Sequence, residues 1–536
     1  MGTTVAVSLA AVNDKMEVTV KPVFLLACTM AFLVPATLPA AERPNILLIM
    51  ADDMGYSDLG CFGGEIRTPH IDQLAHNGLR FTNFYSENMC WVSRAALLTS
   101  IYHKTSLVNS TLHSRCVALP EVLSTAGYRT MICGKWHLAG KNSTIYPNDR
   151  GFTDFYGILG GAASFYAPFH LSRNRLNVES EAHNDPDYYF TDAISSEAVT
   201  LIRESRPDQP LFLNLAYTAA HWPLHAPADE IEKYKGRYAQ GWDALRSERL
   251  GRMHKLGIVP ESVGLSPRHP NVPAWENTEN KAWQQRRMEV YAAQVTIMDR
   301  GIGSVIEALK ETGRFENTLI LFTIDNGGCH VEYGTGRKGN YLPEKTRDGR
   351  PLKPGNIPGL MPGPEETYQS YGYGWANASN TPYRMFKQFD HEGGIRTPMI
   401  AHWPDGMKPR GSLVTSVSHL IDIMPTVLEV CQLKAPARVD GKLAIPTDGH
   451  SLAAAFRGKR VPDHERLFFH HNKGKALRQG NWKLVSAGGG KWELYNLKND
   501  PLELDDLAGE EPSRLLELVA AWKAESRRHA KQAALK

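Results

Sequence analysis

Four stretches of the chain share one pattern, a short continuous apolar run that stops abruptly at polar residues. Ile46-Leu47-Leu48-Ile49-Met50 runs into Asp52-Asp53, and Thr130-Met131-Ile132-Cys133 runs into Lys135-Trp136-His137. Leu211-Phe212-Leu213-Asn214-Leu215-Ala216 precedes His221, and Leu319 to Ile324 precedes Asp325-Asn326. A β-rich run without alternation reads as a strand buried on both faces. Helical segments lie between the runs. Thr68-Pro69-His70-Ile71 and Leu119-Pro120-Glu121-Val122 each place proline in a first turn. Arg286 to Leu309 carries Val290, Ala293, Ile297, Ile302, Ile306 and Leu309 at helical spacings. This order predicts an α/β fold, a large and mostly parallel sheet sandwiched by helices. In such sheets ligands gather beyond the carboxyl ends of the strands, so the polar residues that follow the runs converge on one crevice.

The pattern changes along the second half. Gln240 to Glu279 mixes charged helix with Pro-rich loop and reads as an insertion, and Arg337 to Tyr373 reads as a long surface loop near the crevice. The sheet region ends with Ser418 to Glu429. Strand patterns then recur at Arg466–His470, Ala476–Arg478, Trp482–Val485 and Trp492–Asn496, followed by a helix over Ser513–Ala530. They predict a small C-terminal antiparallel sheet with a helix packed on it. The expected organisation is a leader at 1–41, a catalytic domain at 42–432 and a C-terminal subdomain at 433–536.

Composition adds little to this picture and the N-terminus adds more. With 42% hydrophobic and 22% charged residues and a net charge of +3, the 536-residue chain has the balance of an ordinary soluble protein and no nucleic-acid footprint. Lys21, the apolar run Val23 to Val34 and the small residues before Glu42 form the layout of a secretory signal, cleaved near Ala40 or Ala41. The run has about twelve apolar residues against the roughly twenty that a membrane span needs. The expectation is therefore export, to the periplasm or beyond, without stable membrane insertion. Of seven cysteines, Cys28 lies in the leader and Cys90 is set apart by its context, and the remaining five are scattered and odd in number, which implies no disulfide framework.

Cys90 carries the sharpest chemical signal. It lies in Asn88-Met89-Cys90-Trp91-Val92-Ser93-Arg94-Ala95-Ala96-Leu97-Leu98-Thr99, where Ser93 is suited to cap a helix and leave residue 90 just ahead of a positive helix end beside a guanidinium. Asp52, Asp53, Asp325 and Asn326 are hard oxygen donors at the ends of two strands. Three carboxylates in one crevice repel unless a cation compensates them, and all-oxygen donors favour Ca²⁺, then Mg²⁺, over zinc. Asp58 reads as a turn or capping residue. Lys135, His137, His221 and Lys387 follow strands or lie in the Lys387-Gln388-Phe389-Asp390-His391-Glu392-Gly393-Gly394-Ile395-Arg396 stretch, as anion clamps and proton carriers would.

Five segments occur in a familiar order: Pro44 to Tyr56, the Cys90 stretch, Gly134-Lys135-Trp136-His137, Asp325-Asn326-Gly327 and Glu392-Gly393-Gly394-Ile395-Arg396. Together they resemble a type I sulfatase of the alkaline-phosphatase superfamily, in its bacterial arylsulfatase-like branch. The resemblance implies that Cys90 is converted to formylglycine (3-oxoalanine), whose hydrate is the nucleophile, and that a formylglycine-generating enzyme is a partner. It implies Ca²⁺ held by Asp52, Asp53, Asp325 and Asn326 with residue 90 as a further ligand. Arg94 would steady the hydrate, and Lys135, His221 and Lys387 would hold sulfate oxygens. His137 would bond residue 90, and His225 would support the substrate. The implied activity is hydrolysis of sulfate esters, of a sulfated carbohydrate ahead of an aryl sulfate. Val92 stands where the family motif has proline, and Ser100 where it has glycine. Two other readings stay open: a phosphatase or phosphodiesterase on the same fold, and a catalytically impaired member that binds sulfated glycans, since valine lacks proline's fixed φ.

Overall fold

The computed structural model describes residues 1–4, 6, 43–140, 144–337, 339 and 341–535. The leader segment from Lys21 to Ala41 lies outside the described residues. Seven strands build most of the large sheet: β1 (Asn45–Ala51), β2 (Leu79–Tyr85), β3 (Arg129–Lys135), β4 (Asp154–Ile158), β5 (Leu211–Ala216), β6 (Thr318–Ile324) and β7 (Arg396–His402). Their order across the sheet is β2-β7-β6-β1-β5-β3-β4, with short strands at both edges. The neighbours β6, β1, β5, β3 and β4 run parallel, and β7 is antiparallel to both β6 and β2. The four apolar runs of the sequence are thus side by side in the middle of the sheet, with their carboxyl ends at one edge.

The two-residue period of a strand explains why these runs show no polar alternation. Leu47, Ile49 and Ala51 of β1 face one core, which holds Ile194 and Ala198 of the helix Phe190–Glu204 and Ala292, Val295 and Met298 of the helix Lys281–Glu311. Ile46, Leu48 and Met50 face the other, with Leu97 and Leu98 of α1 (Cys90–Thr99) and Ile423, Met424 and Val427 of α2 (Ile423–Val430). Every residue of β1 is buried. Each Leu or Ile so enclosed contributes about 1.5–3 kcal/mol, so these strands are mostly apolar, with Asn214 of β5 and Thr323 of β6 among the buried polar exceptions.

The predicted C-terminal sheet is present as β8 (Arg466–His471), β9 (Gly474–Gln479), β10 (Trp482–Ser486) and β11 (Glu493–Asn496), an antiparallel meander. One face packs Phe468, Leu477 and Leu484 on Leu518 and Trp522 of α3 (Pro512–Ala533). The other packs Leu467, Phe469, Ala476 and Val485 on Tyr85 and Ile395, next to the end of β2. No helix among the described residues is long and apolar enough to cross a membrane.

Candidate active site

The strand ends deliver the polar residues as the sequence predicts. Asp52 and Asp53 follow β1, Asp325 and Asn326 follow β6, Lys135 closes β3, and His221 lies in the turn after β5. All six are buried. The two acid pairs are stitched together: Asp325 N–H donates to Ala51 O (3.2 Å) and Asp53 N–H to Asp325 Oδ1 (3.2 Å). Lys135 Nζ donates to Asp52 Oδ2 (2.5 Å), and Lys387 Nζ donates to Asp53 Oδ1 (2.6 Å). Arg94 Nη2 donates to Asp325 Oδ2 (3.0 Å), while its Nη1 donates to Lys135 O (3.0 Å). The guanidinium therefore fixes an acid and the end of β3.

Cys90 is the first residue of α1, and Met89 is its extended N-cap. This corrects the expectation that Ser93 caps the helix. Ser93 lies inside the first turn, where its hydroxyl donates to Asp325 O (2.5 Å) and accepts from Glu87 N–H (3.1 Å). The hydroxyl ties α1 to the end of β6, which points the positive helix end at the strand-end acids. Ser100, in place of glycine, takes the left-handed conformation (φ 59°) that ends the helix. Its carbonyl accepts from Asp448 N–H (2.7 Å) and its hydroxyl from Gly449 N–H (3.3 Å), contacts that hold it there.

His137 Nδ1 lies 3.3 Å from Cys90 Sγ. Gly161 sits against the far side of that ring, where a Cβ would come within 2.4 Å of Nε2, so only glycine leaves the imidazole its place. His221 Nε2 faces Asp53 Oδ2 at 3.3 Å, and its Nδ1 lies 2.7 Å from Trp222 O. His225 is a second correction. It is fully buried behind the crevice, with Nε2 2.5 Å from Thr367 O and Nδ1 accepting from Phe165 N–H (3.4 Å). Both ring nitrogens are engaged, and His225 is not among the residues that line the cavity beside Cys90. Asp58 forms its turn, accepting from Gly55 N–H, and also a buried ion pair with Arg249 (2.6 Å) that anchors the insertion helix Gly241–Lys255.

Electrostatics separate the roles. Burial pushes the Asp325 carboxyl up to about 7, and the neighbouring Asp52 adds to this. Burial also works to raise Asp53, yet Lys387, His221 and Lys135 together hold it below the ordinary carboxylate range. Burial lowers His221 to about 3 and His137 well below the imidazole range. The Cys90 thiol is raised by burial, against the pull of Lys135 and Lys387. A buried thiol of this kind is protonated at neutral pH and is a poor nucleophile as it stands.

Three acceptors at the strand ends have no hydrogen-bond partner: Asp52 Oδ1, Asp53 Oδ2 and Asn326 Oδ1, all buried. Ligand atoms of Asp52, Asp53 and His221, and of Asp52, Cys90 and Asp325, lie within 4.8 Å of one another, and Asp52 belongs to both groups. Orphaned oxygen acceptors converging beside repelling carboxylates fit a hard divalent cation. Cys90, His137, His221 and Lys387 open into a cavity of about 410 Å³. Its outer wall holds residues the sequence did not single out, among them Phe169, His170, Trp222, Arg337 and Tyr341. The Arg337 guanidinium lies over the rings of Trp222 (5.4 Å) and Tyr333 (4.8 Å) and forms no ion pair among the described residues. An aromatic beside a cation within the predicted Arg337–Tyr373 loop was the available signal.

Comparison with known proteins follows this geometry. The family described as Sulfatase matches residues 44–433, and the C-terminal region of N-sulphoglucosamine sulphohydrolase matches residues 383–529. An uncharacterized sulfatase of Schizosaccharomyces pombe is 33% identical, with 90% of this chain and 93% of the relative covered. The arylsulfatase of Klebsiella aerogenes is 32% identical over 77% of this chain and 92% of its own. Among solved structures, Ps i-CgsB in complex with k-i-k-neocarrahexaose is 26% identical with a TM-score of 0.64, covering 92% of this chain and 94% of that one.

Proposed function

Since the chain belongs to the sulfatase family and is a sulfuric ester hydrolase, we propose that it removes sulfate from a sulfated carbohydrate, with formylglycine formed from Cys90 and Ca²⁺ at the strand ends. In this reading residues 1–41 direct export, 42–432 form the catalytic part and 433–536 brace it. The observation that carries the proposal is the set of three orphaned oxygen acceptors at the strand ends, beside Lys387, which contacts Asp53 and lines the cavity that Cys90 also lines. Asp52, Asp53, Asp325 and Asn326 would hold the ion, and the Cys90 Sγ marks where a formylglycine oxygen would sit. The bound ion supplies charge that acidifies a hydroxyl of the formylglycine hydrate and draws electron density from the sulfate oxygens.

The chain's own residues do the remaining work. Lys135 and Lys387, which face Asp52 and Asp53, turn their ammonium groups to the sulfate oxygens and neutralise them without moving far. His221 lines the same cavity and would protonate the departing alcohol oxygen. A bound sulfate ester adds negative charge beside Asp53, which favours the protonated imidazole against the burial that otherwise keeps it neutral. His137, against residue 90, holds or takes the proton of that residue's oxygen. Trp222, Tyr341 and Phe169 form a wall on which a sugar ring can lie, and Arg337 offers a cation for a second anionic group of a polysulfated or uronate-containing saccharide. The carbohydrate assignment draws support from relatives named as carbohydrate sulfatases, including the N-acetylglucosamine-6-O-sulfatase of Bacteroides thetaiotaomicron at 24% identity.

The test is mass spectrometry of the peptide containing residue 90 after co-expression with a formylglycine-generating enzyme, paired with sulfate release from sulfated oligosaccharides and aryl sulfates. Formylglycine together with sulfate release is expected. Unmodified cysteine with no release from any ester would overturn the proposal and support the impaired, glycan-binding reading of Val92. Faster turnover of phosphate diesters than of sulfate esters would support the phosphodiesterase reading.

A further inference from the structure

A second cluster of metal-ligating side chains lies away from the cavity, where three segments distant in sequence meet. Asp422 ends the short turn Leu420–Asp422 ahead of α2, His450 follows Gly449, and His464 comes just before β8. Asp422 is fully buried, and its two oxygens accept from the backbone N–H groups of His419 (2.8 Å) and His450 (2.9 Å). His464 Nε2 lies 2.9 Å from both of those oxygens. The His450 ring stacks against the His464 ring at 4.1 Å, 30° from parallel. One nitrogen of each imidazole and a carboxylate oxygen of Asp422 all lie within 4.8 Å of one another.

An ion pair between His464 and Asp422 explains two of these residues and leaves the third unexplained. His450 Nε2 is buried and has no hydrogen-bond partner. A buried nitrogen left without a partner is destabilising, and stacking two imidazoles face to face supplies no partner for it. A metal ion between the rings and the carboxylate would satisfy all three groups. The Pro462 carbonyl lies beside the His450 ring, yet Nε2 stays without a partner, while Asp463 accepts from Val417 N–H and Arg460, and His419 Nδ1 accepts from Ile421 N–H.

We propose that Asp422, His450 and His464 form a structural site for a transition-metal ion, with Zn²⁺ the best fit. Two imidazoles and one carboxylate select zinc and its neighbours in the Irving–Williams order over Ca²⁺ or Mg²⁺, which require oxygen ligands. The two backbone N–H groups on Asp422 orient the carboxylate, as outer partners do at metal sites. The part-exposed His450 leaves the fourth position to water and gives the ion a way in. The ion would clip α2 and the segment around His450 to the chain just before it enters the C-terminal sheet. None of the three residues lines the catalytic cavity.

The experiment uses the full chain, stripped with a chelator and returned to excess Ca²⁺ so that the strand-end site is filled. Zn²⁺ is then titrated calorimetrically, with Co²⁺ as a spectroscopic probe of a four-coordinate nitrogen–oxygen site. The wild type and Asp53→Asn are expected to bind one equivalent of Zn²⁺ and to melt at higher temperature with it. His450→Ala is expected to bind at least tenfold more weakly and to gain no thermal stability from Zn²⁺. Because it removes a nitrogen that has no partner, His450→Ala keeps the His464–Asp422 pair and folds. Equal Zn²⁺ binding by His450→Ala and wild type, or no Zn²⁺ binding by wild type, would overturn the proposal.

Discussion

Replacing Lys483 by methionine tests how the C-terminal sheet supports the catalytic cavity. Lys483 Nζ on β10 contacts Glu392 Oε1 (2.7 Å) and Glu503 Oε1 (2.8 Å), and all three side chains are 0% exposed. Glu392 Oε2 accepts from Tyr85 OH (2.8 Å) and pairs with Arg396 (3.3 Å). Burial alone would raise the Glu392 carboxyl, but Lys483, with Arg396 and Arg478, brings it from 4.5 to about 2. At about 1.4 kcal/mol per pH unit, that difference contributes about 3 kcal/mol of folding stability. Removing one partner of a buried pair costs about 3–5 kcal/mol by independent experience, so the two routes agree. The Glu392 carboxyl is held below its open-chain value. Its stabilisation is therefore complete above about pH 4.5 and is lost as pH falls toward 2. In Lys483→Met the Glu392 carboxyl takes up a proton instead, so the deficit is largest at pH 7 and narrows toward pH 3. Equilibrium urea unfolding followed by tryptophan fluorescence at several pH values reads both quantities. The variant should also weaken substrate binding, because Glu392 opens the turn whose Gly394 carbonyl holds Gly327 N–H (3.0 Å), next to Asn326. A deficit under about 1 kcal/mol at pH 7, or one that stays constant down to pH 3, would refute this account.

The remaining predictions concern the cavity. Gly161→Ala pushes the His137 ring from Cys90 and should lower kcat on the order of 100-fold with little change in melting temperature, read by steady-state kinetics and calorimetry. His221→Ala should cut kcat by about 10²–10⁴, with a larger loss for sugar sulfates than for aryl sulfates, whose leaving groups need less protonation; equal losses for both would remove His221 from that role. Arg337→Ala should raise KM for a polysulfated saccharide about tenfold and leave an aryl sulfate unaffected, as loss of one charge-assisted contact predicts. Chelation should abolish turnover, and added Ca²⁺ should restore it in the wild type but not in Asp325→Asn, as followed by sulfate release.

The four buried strands and the acids, lysine and histidines beyond them were legible because two strong constraints coincide there. A central parallel strand must be largely apolar, and the titratable residues that follow it fall on the ligand side of the sheet. Asp52, Lys135, His221 and Asp325 follow that rule. His225 obeys the same local pattern, four residues beyond His221, yet its ring turns to Thr367 O and Phe165 N–H, because that turn lies beneath the loop that carries Thr367. Ser93 misled for a related reason. Its hydroxyl is a strong capping group, but the end of β6 lies close enough to claim it, and sequence carries no record of that distance. The outer wall was the least legible part. Phe169, His170, Arg337 and Tyr341 lie on irregular segments without periodicity, and only the fold brings them to one rim. The His450–His464 pair was hidden in the same way, since neither residue follows a strand or repeats at a metal-ligand spacing.

The burial of Cys90 has a consequence in time. At 3% exposure, in the first turn of a helix packed on the sheet, its sulfur is out of reach of any oxidising enzyme once the chain has folded. Under the proposed formylglycine chemistry, conversion and folding would be competing clocks, and the share of active molecules would be set by which finishes first. The sheet that seals the site joins strands from Asn45 to His402, pairings that close slowly because they span so much chain, and this leaves the window open. Val92 matters inside that window alone. In the finished protein it is one more buried residue of the helix, whereas under the proposed chemistry its backbone, free of proline's fixed φ, would lengthen recognition of the nascent chain, so slower folding, rather than a more stable fold, would raise the yield of working enzyme.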